Sequence, residues 1–290
     1  MPEKPGETVL FEGNEAHATT PEGARKTVKV SDLLNRLAPR VPDTCGTILP
    51  DGVKCVVPVP GGLTLVHQTP PQVYSFKWIA NDSEAEYGPG TRYRSVRLGL
   101  PYMIVFAVFA TTGRRGTVLS QRNECFFSNE PLETKGIDTP LHYPALLNCS
   151  KLSAEAHPLS WICTQYLDKK EFRARPTMDA SLREGLGALL RHLLESGFNR
   201  SSEHHEGASG FSASVDAKID PRIATVDDWE KATHEDPLFV LSVPWLPVGM
   251  TVRDATGRIG QLGRSRTSKF DTAADIARVI FNTNARRSSA

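Results

Sequence analysis

The stretch "LPYMIVFAVFA", Leu100–Ala110, decides how this chain is read. It is apolar almost throughout and lacks the period-two alternation of a strand with one wet face, so it predicts a strand covered on both faces. It is too short to cross a bilayer as a helix, which takes about 20 residues. Around it the pattern is β from Thr47 to Phe127. The runs "GVKCVVPVP", "LTLVHQ", "VYSFKWIA" and "TRYRSVRLGL" precede it, and "TVLSQRNECFF" follows. Turn-prone "PDG", "PGG", "NDS", "YGPG" and "TTGRRG" separate these β-branched and aromatic runs. Short spacing with no intervening helix predicts an antiparallel meander rather than βαβ units. In "VYSFKWIA" the side chains of Tyr74, Phe76 and Trp78 alternate with Val73, Ser75 and Lys77, which predicts one aromatic face.

Working outward, residues 1–29 are rich in Pro, Gly, Glu and Thr without periodicity, and are expected to be a disordered or loosely attached arm. "SDLLNRLAP" offers Ser31 as an N-cap and Pro39 as a stop for a short helix. "MDASLREGLGALLRHLLESGFN" carries Leu182, Leu186, Leu189, Leu190, Leu193 and Leu194 at helical spacing. Ser181 and Glu184 fit a capping box, and Gly197 fits a C-terminal stop. Residues 201–216 read as a polar loop. "TVDDWEKATHEDP" reads as a short helix, "LFVLSVPWLPVGMTVRDATGRIGQLG" as strand-like runs around a "DATG" turn, and "DTAADIARVIFNT" as a closing helix bearing Ile276, Val279 and Ile280. The expected organisation is an α+β core over residues 30–200, a polar loop at 201–216, and a smaller C-terminal α/β part over 217–290 packed on the core. The core itself is an antiparallel β-meander packed by helices.

The charge is balanced, Lys+Arg 34 against Asp+Glu 33, net +1. That argues against sequence-independent nucleic-acid binding, which needs a basic face. Five widely spaced cysteines, Cys45, Cys55, Cys125, Cys149 and Cys163, make a poor disulfide framework. "MPEKPGETVLFEGNEAH" has no apolar h-region. Together these predict a cytoplasmic chain with reduced thiols.

No C-x-x-C, H-E-x-x-H, phosphate-cradling glycine loop or G-x-S-x-G is present. "SEHHEG" gathers Glu203, His204, His205 and Glu206, but adjacent histidines point apart and a solvated loop is the better reading. No metal or organic cofactor is expected. The segment "TPLHYPALLNCSKLSAEAHPLSWICTQYL", Thr139–Leu167, holds Cys149, Cys163, His142, His157 and Asn148. A stabilised thiolate is a good nucleophile, and an amide or imidazole nearby would hold a developing oxyanion. The same residues also fit a buried strand pair with an Asn-capped turn.

The stretch from "LPYMIVFAVFA" through "TPLHYPALLNCS" to "WIC", roughly residues 90–170, resembles the core of prokaryotic ubiquitin-conjugating-like proteins, in the divergent branch that includes PRTRC-cassette B proteins. There a strand pair is followed by a Thr-Pro-Leu type stretch, an Ala-Pro-aromatic-aromatic-Asn stretch and a cysteine, and "TPLHYPALLN" occupies that place. The resemblance implies a bacterial ubiquitin-conjugating-like core. It also implies an acyl transferase in which Cys163, or Cys149, carries a small β-grasp modifier as a thioester, with Asn148 holding the oxyanion. The partners implied are that ubiquitin-like modifier and its activating enzyme. The family's His-Pro-Asn tripeptide is not intact: His142, Pro144 and Asn148 are spread apart, Cys149 follows Asn148 directly, and "SKLSAEAHPLS" precedes Trp161. These departures bear on catalysis more than on fold. The alternatives are a non-catalytic interaction module on the same fold, or a structural assembly subunit.

Overall fold

The structure, a computed structural model, describes residues 8–20, 22–37, 47–59, 61–84, 90–112, 116–152, 159–164, 167–195, 197–198, 209–267, 276–277 and 280–281. The chain divides into two units, residues 1–41 with 261–290, and residues 42–260.

In the smaller unit Thr8–Glu12 (β1), Glu15–Thr19 (β2) and Arg25–Lys29 (β3) form an antiparallel sheet in the order β1-β2-β3. Gly13, at φ +55°, allows the tight turn between the first two. Ala16 and Ala18 share one face of β2 and are buried with Leu33, Ala277 and Ile280. Leu33 lies on the helix Val30–Leu37 (α1), which starts one residue before the expected Ser31 cap. Of the expected disordered or loosely attached arm, the disordered form is therefore corrected for the residues of these three strands. The strands are short, their buried face is mostly alanine, and two of the residues that cover it come from the far end of the chain.

The larger unit opens with Val53–Val59 (β4), Gly62–Thr69 (β5), Gln72–Ile79 (β6), Tyr93–Leu100 (β7), Tyr102–Thr112 (β8), Gly116–Leu119 (β9) and Glu124–Ser128 (β10). Leu132–Lys135 (α2), Pro140–His142 (β11), Cys149–Lys151 (β12), Ser160–Ile162 (β13) and Met178–Glu195 (α3) follow. Then come Gly197–Phe198 (β14), Gly210–Asp216 (α4), Val226–Glu235 (α5), Pro247–Thr251 (β15) and Val252–Thr267 (α6), the last belonging to this unit as far as Gly260. The main sheet runs β12-β13-β10-β8-β5-β4, with β9 on β8, β11 on β10 and β15 on β11.

The predicted meander is antiparallel as expected, but it is split between two sheets. Strands β5 and β6 pair with β8 and β7 as one long ribbon: Thr69 faces Met103 and Gln72 faces Leu100, so the register runs through. Pro70, Pro71 and Pro101 stand at the break between the halves. Proline donates no ladder hydrogen bond, so pairing stops there. Beyond the break β6 and β7 join β14 in a second sheet of order β14-β6-β7.

Strand β8 is covered on both faces, as its sequence predicts. Met103, Val105, Ala107 and Phe109 face a core shared with β6, β7 and α3, whereas Ile104 and Phe106 face Phe126 and the Val252, Ala255 and Ile259 side of α6. Phe76 and Trp78 are buried and Tyr74 partly so, on the predicted aromatic face.

Helix α3 begins three residues before the predicted Ser181. Thr177 Oγ1 accepts from Ala180 N, while Ser181 Oγ accepts from Arg175 N and pins the incoming chain. Leu182, Leu186, Leu189 and Leu193 are buried, with Leu190 and Leu194 half-buried at the border of the stripe. The "DATG" turn is corrected: it lies inside α6. Thr251 N donates to Asp254 Oδ2 at 2.9 Å and Asp254 N to Thr251 Oγ1 at 3.3 Å, a reciprocal cap that starts a helix despite its glycines. No described helix is long and apolar enough to cross a membrane.

Candidate functional site

The Thr139–Leu167 segment threads through the main sheet. Strand β11 lies between β10 and β15, with His142 opposite Phe127 and Pro247. Tyr143 N then donates to Leu246 O, and the chain turns through Pro144–Asn148 into β12, which pairs with β13. That pairing sets Cys149 opposite Ile162, and Cys163 N donates to Asn148 O at 3.0 Å. The structure thus brings Asn148, Cys149 and Cys163 together. It adds Cys125, which sequence reasoning treated as a plain strand residue: Cys125 and Cys163 both act on the Cys149 thiol. None of the four described cysteines is in a disulfide; Cys45 lies outside the described residues.

The electrostatics of this cluster disfavour a thiolate. Cys149 has no exposed surface, and burial pushes its thiol well above the ordinary cysteine value, with the neighbouring Cys125 and Cys163 pushing the same way. Cys163 is 9 % exposed. Its carbonyl meets His192 Nε2 of α3 at 2.7 Å, a contact no sequence pattern announced, since His192 sits between two leucines of the stripe. The Asn148 amide is engaged: Nδ2 donates to Leu193 O at 2.9 Å, capping a late carbonyl of α3. Cys149 Sγ approaches Asn148 Oδ1 only to 4.0 Å.

His142 is not part of this grouping. Its Nδ1 meets Phe127 O at 3.3 Å, and burial lowers its pKa from the ordinary histidine value. His157 and the "SEHHEG" cluster lie outside the described residues. Among the described residues no group of three or more His, Cys, Asp or Glu side chains is arranged to hold a metal.

Beside this segment lies an open groove of about 370 Å³. Its walls come from the end of β6 (Trp78, Ile79), Leu147, helix α4 (Phe211, Val215, Asp216) and the start of α5 (Thr225–Asp227). Helix α4 is fixed against the cysteine segment by Gly210, where a Cβ would stand 1.8 Å from Pro144 O. Ser209 caps it by accepting from Ser212 N, and Phe211 N donates to Leu146 O. The polar loop expected at 201–216 is therefore helical from Gly210; residues 201–208 lie outside the described residues. Phe211 meets the Trp78 ring edge-on at 4.9 Å and stacks near Trp229 at 6.4 Å. Sequence reasoning did not find this groove, because its walls lie far apart in the chain.

Helix α5 is seated by Gly99 of β7, whose N donates to Thr233 Oγ1 and whose O accepts from Trp229 Nε1. A Cβ at Gly99 would stand 2.8 Å from Pro237 O, so the strand needs glycine to let this layer approach.

Comparison with family models, with curated proteins and with solved structures finds no match to this chain.

Proposed function

We propose that this chain is a non-catalytic protein-interaction module built on a ubiquitin-conjugating-like core, working in the reducing bacterial cytoplasm. The observation that carries this reading is the state of the cysteine cluster. A thioester carrier needs an accessible, charge-stabilised sulfur, whereas Cys149 is fully buried with a raised pKa and Cys163 is 9 % exposed. The Asn148 amide, which would hold the oxyanion, already donates to Leu193 O. One observation favours the carrier reading as the second: Asn148 lies beside both thiols, through a backbone bond to Cys163 and adjacency to Cys149.

Brief iodoacetamide treatment of the native protein, read by mass spectrometry, separates the two. The module reading expects Cys149 and Cys163 to stay unlabelled until denaturant is added. It also expects no reducible adduct with a β-grasp modifier, its activating enzyme and ATP. Rapid labelling at Cys163 together with such an adduct would overturn it in favour of the carrier.

A further inference from the structure

The groove beside the cysteine segment has a mixed chemistry. Its described lining includes the apolar and aromatic side chains Trp78, Phe211 and Val215, two carboxylates, Asp216 and Asp227, and no cation. Asp216 is exposed and makes no ion pair with the described residues. Asp227 Oδ1 accepts from Arg94 Nη1, yet its side chain remains 60 % exposed, so its other oxygen is open to a second donor. The volume, about 370 Å³, is at the small end of the roughly 300–1,000 Å³ usual for ligand clefts, so it suits a side chain or two rather than a large cofactor.

An arginine side chain matches each part of this surface. Its three-carbon stem lies along apolar walls, its planar head stacks on or beside an aromatic ring, and its fork of donors reaches carboxylates. We propose that the groove between β6, α4 and α5 is a docking site for a partner-protein segment that presents an arginine flanked by aliphatic residues. This rests on the interaction-module reading and names where and what that module binds. The charge complementarity sets orientation and encounter rate, and burial of the flanking aliphatic groups against Phe211 and Val215 supplies most of the free energy.

The test titrates the isotopically labelled full chain with the synthetic peptide acetyl-Leu-Arg-Leu-amide and, separately, acetyl-Leu-Glu-Leu-amide, followed by amide and indole NMR shifts. The expected result is saturable shifts with the arginine peptide at Asn81, Ser212, Asp216, Thr225 and the Trp78 indole. The glutamate peptide should give much weaker ones. Replacing the exposed Asp216→Lys should raise the apparent Kd by about fivefold or more, and added salt should weaken wild-type binding. Equal shifts from both peptides, shifts centred elsewhere, or no saturation at millimolar peptide would overturn the proposal. Failure here with unreactive thiols would remove this docking site alone. Rapid Cys163 labelling and adduct formation would remove the underlying module reading whatever the peptides do.

Discussion

At the scale of single residues, burial is the largest influence on the three histidines with shifted pKa values. His67, His142 and His192 all have pKa values lowered from the ordinary 6.5, with desolvation the largest cause in each. A histidine whose folded pKa is depressed contributes stability above its unfolded pKa, and that contribution is lost as pH falls through about 6.5 towards the folded value. The carboxylates held low by hydrogen bonds and ion pairs, Asp138, Asp168, Asp220, Asp254 and Glu133, lose their contribution only below about pH 4. Urea midpoints should therefore fall between pH 7.5 and 5.5, before the carboxylates titrate. A flat profile over that window would show the three imidazoles to be equally well solvated folded and unfolded. The same reasoning bears on the cysteine segment. "NCS" and "WIC" place thiols near an amide in sequence, but whether a thiol ionises depends on what covers it, and that cover comes partly from Cys125 on β10 and from the layer around α3.

At the scale of elements, helix α3 shows how close approach is encoded. Gly185 faces β8, and a Cβ there would stand 2.9 Å from Phe109 Cε1, a ring edge that is itself fully buried. Gly187 meets only Arg191 Nη1, the far end of a flexible side chain, at 3.3 Å. The two glycines should therefore respond oppositely to alanine. Gly187→Ala should stabilise by about 0.5–1 kcal/mol through helix propensity. Gly185→Ala should destabilise by about 1–3 kcal/mol, because overpacking against Phe109 outweighs that gain. Denaturant midpoints of the two variants measure this; a gain in both would mean that α3 rides further from β8. The leucine stripe, the two-sided strand β8 and the aromatic face of β6 were legible because each depends on one local period. The split of the ribbon into two sheets was less so, since Pro70, Pro71 and Pro101 mark a break but not the direction taken beyond it. The groove was illegible, since Trp78, Phe211 and Asp227 meet only through the docking of α4 on Pro144 and of α5 on Gly99. Among the described residues β4 ends the main sheet, and that edge is poorly suited to adding a partner's strand. It carries Pro58, Lys54 and a register shift between Val53 and Cys55, the usual guards against edge pairing.

At the scale of the whole molecule, the two ends of the chain belong to one unit. Ala16 and Ala18 of β2 and Leu33 of α1 are buried with Ala277 and Ile280, and Lys26 Nζ donates to Phe281 O at 2.9 Å. A reading that treats residues 1–29 as a dispensable arm predicts that their deletion leaves everything else unchanged. The structure predicts a local loss instead. Without β1–β3 the buried side chains of Ala277 and Ile280 lose the surface that covers them. The strands around β8 keep their own two cores, built from residues of 42–260. Hydrogen exchange on the chain lacking residues 1–29 should show protection falling sharply at Ala277 and Ile280 while Met103–Ala107 and Cys125–Phe127 exchange as slowly as in the full chain. If protection at Ala277 and Ile280 survived the deletion, the N-terminal sheet would not be what holds them. If β8 opened as well, the two units would share one cooperative transition.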